Sequence, residues 1–170
     1  MATATDEEFR EWAQSVRTSL RRTAFLLCGD WATADDLVQD ALVKVYLRWR
    51  KIRTNPTAYA RKAVSSCFID STRRPWRRET TTESMPETSL DGPDTTTRDT
   101  LLAALRGVPA RQRTALVLRY WEDMSMAEVA EAMGCSVGTA KSQTARGLER
   151  LRSELIAIGA SAEFGYEDLT

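Results

Sequence analysis

The first half of the chain carries apolar residues at helical spacing. Between residues 9 and 27 they recur every three or four positions, and Gly29 follows as a C-terminal stop. A second helix is predicted from Asp30, because acids lie in its early turns and basic residues in its late turns, as the helix dipole prefers. Asn55 and the proline after it are typical of an N-cap and first turn, and they predict a third helix through about residue 72.

Helical spacing resumes beyond residue 100. A short helix is predicted near Leu101–Val108, and another begins at Pro109 and runs to about Trp121. No segment alternates apolar and polar residues as a half-buried strand would. The chain is therefore predicted to be all-α and to form two small helical domains.

The stretch Ser125–Leu151 predicts two helices joined by a tight corner. Ser125 and Glu128 match a capping box, which starts the first of these helices. Gly134 suits the corner, and Ser136 can cap the second helix. A short helix, a turn with glycine and a longer helix form the helix-turn-helix arrangement of many DNA-binding proteins.

The second of these helices has two different faces when it is projected at 100° per residue. An apolar stripe runs from Val137 to Ile158 and includes Thr144. The other face carries polar and basic side chains that can contact phosphates or read base edges in a major groove. Any one of these side chains could simply lie on a solvated surface helix. All of them together, on a helix that follows a cap and a glycine corner, favour DNA binding. The predicted contacts are Ser136, Thr139, Lys141, Ser142, Gln143 and Arg146.

The charge distribution separates the chain into four parts. Lys and Arg exceed Asp and Glu by four in residues 1–76 and by two in residues 98–158. Residues 77–97 and the tail 159–170 each carry a net charge of −3. The segment 77–97 has seven threonines, two prolines and few large apolar residues, so it predicts a flexible acidic linker between two mildly basic domains. The sequence predicts no role for the acidic tail.

Composition narrows the possible chemistry. The chain has no histidine, which removes His-based acid–base catalysis and most metal sites. Cys28, Cys67 and Cys135 are widely spaced and form no CxxC, so we expect free thiols rather than a disulfide or zinc framework. No apolar run could cross a membrane, and the N-terminus is acidic, unlike a signal peptide. We expect a cytoplasmic protein that is not an enzyme and has no metal, cofactor or membrane insertion.

Long motifs in both halves resemble bacterial RNA polymerase sigma factors. DDLVQDALVKVYLRW at 35–49 and NPTAYARKAVSSCFIDSTRR at 55–74 resemble their region two. VPARQRTALVLRYWEDMSMAEVAEAMGCSVGTAKSQTARGLERLR at 108–152 resembles their region four. The order of the motifs and the linker between them resemble the extracytoplasmic-function type, particularly its actinobacterial SigE-like branch. The resemblance implies that the chain binds core RNA polymerase and directs promoter-specific transcription initiation.

The resemblance also implies roles for individual residues. The second helix would bind the β′ clamp helices of core polymerase, although the helix dipole alone explains acids at a helix start. These candidates are Asp35, Asp36, Gln39, Asp40 and Lys44. The third helix would bind and melt the minus-10 promoter element by contacting phosphates and stacking an unstacked base. These candidates are Tyr59, Arg61, Lys62, Ser66, Asp70, Arg73, Arg74 and Trp76, with a core role equally open for Tyr59 and for Phe68.

Region four would bind the minus-35 element and the β flap. The chain departs from the family pattern at Ser66, where asparagine is common, and at Gln143, Thr144 and Ala145, where arginine and large residues are common. The first departure leaves the details of the base pocket open, and Gln143 suggests a different minus-35 preference.

Three further points follow from the sequence or from the resemblance. The acidic linker either threads through the polymerase in place of a nucleic-acid strand or is a simple tether. No sensor domain is visible, so an anti-sigma factor is an expected partner. The main alternative is a stand-alone LuxR-type helix-turn-helix regulator that binds duplex DNA as a dimer, which would leave the basic and aromatic N-terminal helices unexplained.

Overall fold

Helices make up all the regular secondary structure in the described residues, which are 4–52, 54–73 and 95–159 of this computed structural model. The all-α prediction is therefore confirmed. In chain order the helices are α1 (Ala4–Cys28), α2 (Trp31–Arg48), a 3-10 turn (Trp49–Lys51), α3 (Pro56–Thr72), α4 (Thr95–Arg106), α5 (Ala110–Leu116) with a π-helical continuation (Val117–Trp121), α6 (Met126–Met133) and α7 (Val137–Ala157).

Local signals in the sequence set the ends of the first three helices. Gly29 ends α1 at a φ of 75°, a left-handed conformation that glycine adopts without strain. Asp30 caps α2 by accepting hydrogen bonds from the Thr33 amide at 2.8 Å and the Thr33 hydroxyl at 2.7 Å. Asn55 caps α3 by accepting from the Ala58 amide at 3.0 Å. The predicted starts of α2 and α3 are confirmed.

Large side chains fill the core between α1, α2 and α3. Leu20, Leu27, Leu37 and Val64 are at most 1% exposed. Burying one such side chain stabilises the fold by about 1.5–3 kcal/mol. At the open end of this bundle the rings of Phe9, Trp12, Tyr46 and Trp49 contact one another, with centroids 4.9–5.8 Å apart.

Small residues allow α5, α6 and α7 to pack closely. Ser125 and Glu128 form the predicted capping box, and Gly134 turns the corner at a φ of 64°. A Cβ on Gly147 would lie only 3.0 Å from the Leu116 side chain and 3.1 Å from the Gln112 carbonyl oxygen, so glycine lets α7 cross α5 at short range.

Thr144 lies in the apolar stripe of α7, as predicted. It is 4% exposed, and its hydroxyl donates to the Ala140 carbonyl at 2.8 Å, so its polar group is satisfied within the helix.

Some expectations for the second half were wrong in detail. The apolar stripe of α7 is shorter than predicted, since Val137 is 43% exposed and Ile158 47% exposed at the two helix ends. Helix α4 begins at Thr95, six residues earlier than expected, and so includes residues 95–97 of the stretch read as linker. The helix that follows Pro109 changes from α to π geometry at Val117, a change that periodicity cannot reveal.

The helices of the second half pack directly against those of the first half. Val117 is 4% exposed and belongs to the same apolar cluster as the core of α1–α3. In the reverse direction Leu26 of α1 packs against Leu105, Val108 and Leu116. The sequence predicted two separate domains joined by a linker, and it gave no sign of this contact.

Candidate nucleic-acid interface

The exposed part of α7 carries the residues predicted to read DNA. Ser136 accepts a hydrogen bond from the Thr139 amide at 3.1 Å and donates to the Thr139 hydroxyl at 2.9 Å, which fixes the first turn. Four more predicted residues follow along the helix, with Gln143 half-buried and the others exposed. They are Lys141, Ser142, Gln143 and Arg146. Residues 139, 142 and 146 share one face because they are three and four positions apart.

Two cations on this helix are available to an anionic partner. Lys141 and Arg146 are exposed and form no ion pair with any described residue. Arg150 differs, because it donates to the Gly107 carbonyl at 3.2 Å and pairs with Glu154 at 2.7 Å. Arg150 therefore holds α7 to the end of α4, whereas Lys141 and Arg146 can reach a phosphate or a base.

Helix α3 presents the minus-10 candidates at different depths. Asp70 and Arg73 are exposed at its C-terminal end, while Lys62 and Ser66 are half-buried one turn apart. Tyr59 is half-buried and packs against the core of α1–α3.

The remaining residues considered on or near α3 are not open to DNA in this structure or lie outside it. Phe68 is 4% exposed and belongs to the core, and the Arg113 guanidinium lies 5.8 Å from its ring centroid. Arg61 is in an ion pair with Glu122, with 2.6 Å between Nε and Oε2. Arg74 and Trp76 lie outside the described residues.

The outer face of α2 joins acidic, basic and apolar side chains. The exposed predicted residues on it are Asp36, Gln39, Asp40 and Lys44. Asp35 differs from them, because it accepts from Arg21 at 2.6 Å and 3.2 Å. That arginine also lies 4.4 Å from the Trp31 ring centroid, so Asp35 helps to hold α2 against α1.

Two apolar residues of this face were missed from the sequence. Val43 is 53% exposed and Leu47 is 74% exposed, and with Gln39 they follow one another at intervals of four. Such spacing places the three on one side of α2. Projecting this helix as α7 was projected would have found them, because a Leu and a Val outside the buried stripe of an otherwise polar face indicate a contact surface.

The three cysteines are free, as predicted. Burial raises the pKa of Cys28 to about 11 and also raises the pKa of Cys67, so both remain protonated at neutral pH. Within residues 4–52, 54–73 and 95–159, no cluster of acidic or cysteine side chains could hold a metal ion. None of the helices in these ranges is long and apolar enough to span a membrane.

Comparison with known proteins bears directly on the two halves of the chain. The family described as Sigma-70 region 2 matches residues 12–78, and the family described as Sigma-70, region 4 matches residues 98–151. The RNA polymerase sigma-E factor of Streptomyces coelicolor is 38% identical to this chain in an alignment of 156 positions, which covers 88% of this chain and 87% of that protein. The chain belongs to the sigma-70 family of RNA polymerase sigma factors.

Other relatives of this sigma factor agree with the extracytoplasmic-function type. The sigma factor EcfG of Rhodopseudomonas palustris is 31% identical, in an alignment that covers 88% of this chain and 86% of EcfG. The solved structure of the sigma factor RpoE from Bartonella quintana, in complex with the anti-sigma factor NepR, has a TM-score of 0.68 and 26% identity, covering 88% of this chain and 98% of that one. The similarity to sigma-E factors of Streptomyces supports the predicted SigE-like branch.

Membership in this family establishes what the sigma factor does. It works with core RNA polymerase and promoter DNA to direct transcription initiation. The stand-alone LuxR-type alternative is not favoured, because the N-terminal half matches sigma region 2 and a lone helix-turn-helix has no counterpart to it.

Proposed function

We propose that three surfaces of this sigma factor divide the work of initiation. The α7 face with Thr139, Ser142 and Arg146 reads the minus-35 element, α3 binds and melts the minus-10 element, and the outer face of α2 binds core polymerase. The observation that carries the proposal is the capped first turn of α7, followed on the helix by the exposed Lys141 and Arg146, which form no ion pair with any described residue. Such a helix fits the major groove.

The minus-35 surface combines base reading with phosphate contact. Arg146 can donate two hydrogen bonds to a guanine, and Gln143 can donate one to the N7 of an adenine and accept one from its N6 amino group. Lys141, Ser136 and the hydroxyl of Thr139 suit the phosphates beside the groove. Ala145 is exposed and small, so it leaves room for the duplex to approach the helix.

The minus-10 surface depends on the side of α3 that carries Lys62, Ser66, Asp70 and Arg73, of which Asp70 and Arg73 are exposed. Arg73 and Lys62 supply positive charge, and Ser66 and Asp70 can hydrogen-bond an unstacked base. Arg74 and Trp76 are further proposed contacts, beyond the end of α3. Tyr59 is a weaker candidate, because its ring packs against the apolar core.

The polymerase-binding surface is an acidic patch with an apolar centre. Asp36 and Asp40 offer charge, whereas Val43 and Leu47 offer apolar area that water now covers. Burying the two apolar side chains against the β′ clamp helices would favour binding at about 25 cal/mol per Å². Asp35 contributes through its ion pair with Arg21, by holding the helix in place.

Two further parts of the proposal follow from the family. A similar sigma factor is held by an anti-sigma protein in its solved structure, and we infer that this chain also has an anti-sigma partner. We infer that region 4 binds the β flap of polymerase. The protein acts in the cytoplasm, and it binds its partners without catalysing a reaction.

Run-off transcription with purified core polymerase and a genomic fragment library tests the proposal. Arg146→Ala should lower initiation from minus-35-dependent promoters by the equivalent of about 1–3 kcal/mol if it reads a base. Arg150→Ala is the matched control, because that arginine is tied to Gly107 and Glu154, and it should leave sequence preference unchanged. Equal activity and equal preference for wild type and Arg146→Ala would contradict the assignment.

A separate pull-down tests the α2 surface. Reversing the charge of Asp36 and Asp40 together, or changing Leu47 to Ser, should weaken capture by core polymerase while the circular dichroism spectrum stays helical. Normal capture of both variants would remove the α2 surface from the proposal.

A further inference from the structure

Glu122 is a charged residue whose side chain lies in a buried position, where apolar side chains are usual. Its side chain is only 5% exposed, although the two residues before it, Tyr120 and Trp121, are 56% and 53% exposed. It follows the π-helical turn after α5 and points into the contact between the two halves of the protein, where it meets α1 and α3.

Two groups from the first half hold this carboxylate. The hydroxyl of Thr23, which is fully buried, donates to Oε1 of Glu122 and also contacts the Ser19 carbonyl oxygen. The Nε of Arg61 lies 2.6 Å from Oε2, but its N–H is not aligned with the carboxylate, so this contact is an ion pair without a hydrogen bond. Glu128 at the start of α6 adds a second negative charge near Arg61.

Two arginines of the second half complete the contact at the end of α1. Arg113 donates to the Leu27 carbonyl, and Arg106 donates to the Gly29 carbonyl at 2.9 Å. These oxygens lie where a helix leaves its carbonyls unpaired, and α1 has no basic residue of its own in its last turn. Burial lowers the pKa of the Arg113 guanidinium, which reflects how far it is withdrawn from water.

Promoter binding as proposed above cannot occur with the two halves in contact. The minus-10 and minus-35 elements lie about 25 base pairs apart, which is roughly 85 Å at 3.4 Å per pair. Helix α7, with 21 residues, is only about 30 Å long. The 21 residues between Arg73 and Thr95 can reach about 70 Å when extended, so the covalent chain allows the halves to separate.

We propose that Glu122 is a latch that keeps the free sigma factor closed and withholds Arg61 from promoter DNA. The inference rests on the proposed minus-10 role of α3, with Arg61 as one of its phosphate contacts, as the resemblance to the family implies. Because Glu122 and a phosphate would compete for the same guanidinium, Arg61 becomes available only when the halves part. Binding of the separated halves to polymerase and promoter then opens the latch.

Charge burial makes this contact suitable for a latch. Removing Glu122, Arg61 and Arg113 from water opposes closure, and their pairing and hydrogen bonds offset that penalty. Opening returns all three groups to water, whereas removal of Glu122 alone would leave Arg61 in the contact without its counter-charge and so favour opening.

The test compares Glu122→Gln with Asp123→Asn in the full chain. Both changes remove one negative charge at neighbouring positions. Asp123, however, is 98% exposed, and its single ion pair, with Arg119, is long at 3.9 Å. Asp123 has a φ of 53°, which asparagine tolerates, so the control should fold normally. Glu122→Gln keeps an oxygen for the Thr23 hydroxyl and loses the ion pair with Arg61.

Two measurements on the free protein report whether the halves stay closed. In small-angle X-ray scattering a single compact body of this length has a radius of gyration near 15 Å, and Glu122→Gln should be clearly larger than wild type. Amide hydrogen exchange in residues 117–124 should be about tenfold faster in Glu122→Gln and unchanged in Asp123→Asn. Arg106→Gln, which loosens the contact at the end of α1, should move both readouts in the same direction.

Binding to a short single-stranded DNA of random sequence reports whether Arg61 is released. Glu122→Gln should bind several-fold more tightly than Asp123→Asn, and adding Arg61→Gln should abolish the gain. Equal size and equal exchange in wild type, Glu122→Gln and Arg106→Gln would overturn the latch, whatever the transcription assays give. If Glu122→Gln opens but Arg61→Gln does not remove the gain in DNA binding, withholding of Arg61 is wrong while closure stands.

Discussion

The two halves of this sigma factor are built from side chains of different size. The α1–α3 core combines five alanines with a larger number of leucine, valine, isoleucine, phenylalanine and tryptophan side chains in one cluster. The α5–α7 core contains alanine at residues 115, 130, 132 and 140, and Gly147 lies where α7 crosses α5. Large side chains give the first half its stability, whereas small ones let the second half hold α7 at a fixed short distance. The second half therefore depends on the close contact of α7 with α5 at Gly147.

The largest expected effect of a single change is in the first half. Leu37→Ala removes a side chain that is 1% exposed and leaves a cavity, which should cost about 2–5 kcal/mol. Urea unfolding followed by circular dichroism measures the loss. Leu47→Ala on the same helix is the control, since Leu47 is 74% exposed, and a similar loss in both variants would mean that α2 is not oriented as described.

The second half should be more sensitive to an added methyl group than to a removed one. Gly147→Ala places a Cβ about 3 Å from Leu116 and from the Gln112 carbonyl. Overpacking of this kind costs about 1–3 kcal/mol, more than the gain in helix propensity returns. Thermal unfolding should show a lower Tm, and an unchanged or higher Tm would show that α5 and α7 can move apart freely.

A matched glycine on the same helix should respond in the opposite direction. A Cβ on Gly138 would meet only the Ser136 hydroxyl at 3.9 Å, so Gly138→Ala has room. The smaller loss of backbone freedom on folding should stabilise the protein by about 0.5–1 kcal/mol. Comparing its Tm with that of Gly147→Ala separates the effect of helix propensity from the effect of contact, and a fall in both would show that propensity does not explain the result.

The smallest expected effect is a pH dependence of the α6 capping box. Hydrogen bonds from the Ser125 amide and hydroxyl lower the pKa of Glu128 below its usual value. A lowered pKa contributes stability above the unfolded-state value of about 4.3, and this contribution is lost as pH falls through the folded-state pKa. Glu128→Gln keeps the capping geometry without the charge. The Tm difference between wild type and this variant should therefore shrink below about pH 4, and a constant difference would contradict the assignment.

Features encoded by neighbouring residues could be predicted from the sequence, and features encoded by distant ones could not. Asp30, Asn55, Ser125 and Ser136 bond to amides three residues away, so each cap can be read from a few letters. Glu122 bonds to Thr23, 99 positions away, through one side chain with no periodicity.

Hydrophobicity also gives the wrong order at this point of the chain. It predicts a buried Trp121 and an exposed Glu122, and the structure has the reverse. The surfaces for polymerase and DNA could be predicted in part. Helical projection finds the α7 face, but it does not tell which arginines, such as Arg61 and Arg150, are engaged elsewhere in the fold.

The way α1 ends has a consequence for work on separate fragments. Its last carbonyls are capped by Arg106 and Arg113, which come from the other half of the chain. An isolated N-terminal piece would expose these oxygens and Leu26 to solvent, and its final turn would fray. Assays that divide the protein at the linker would therefore begin from an N-terminal fragment already altered at Thr23, the residue that contacts Glu122 in the intact chain.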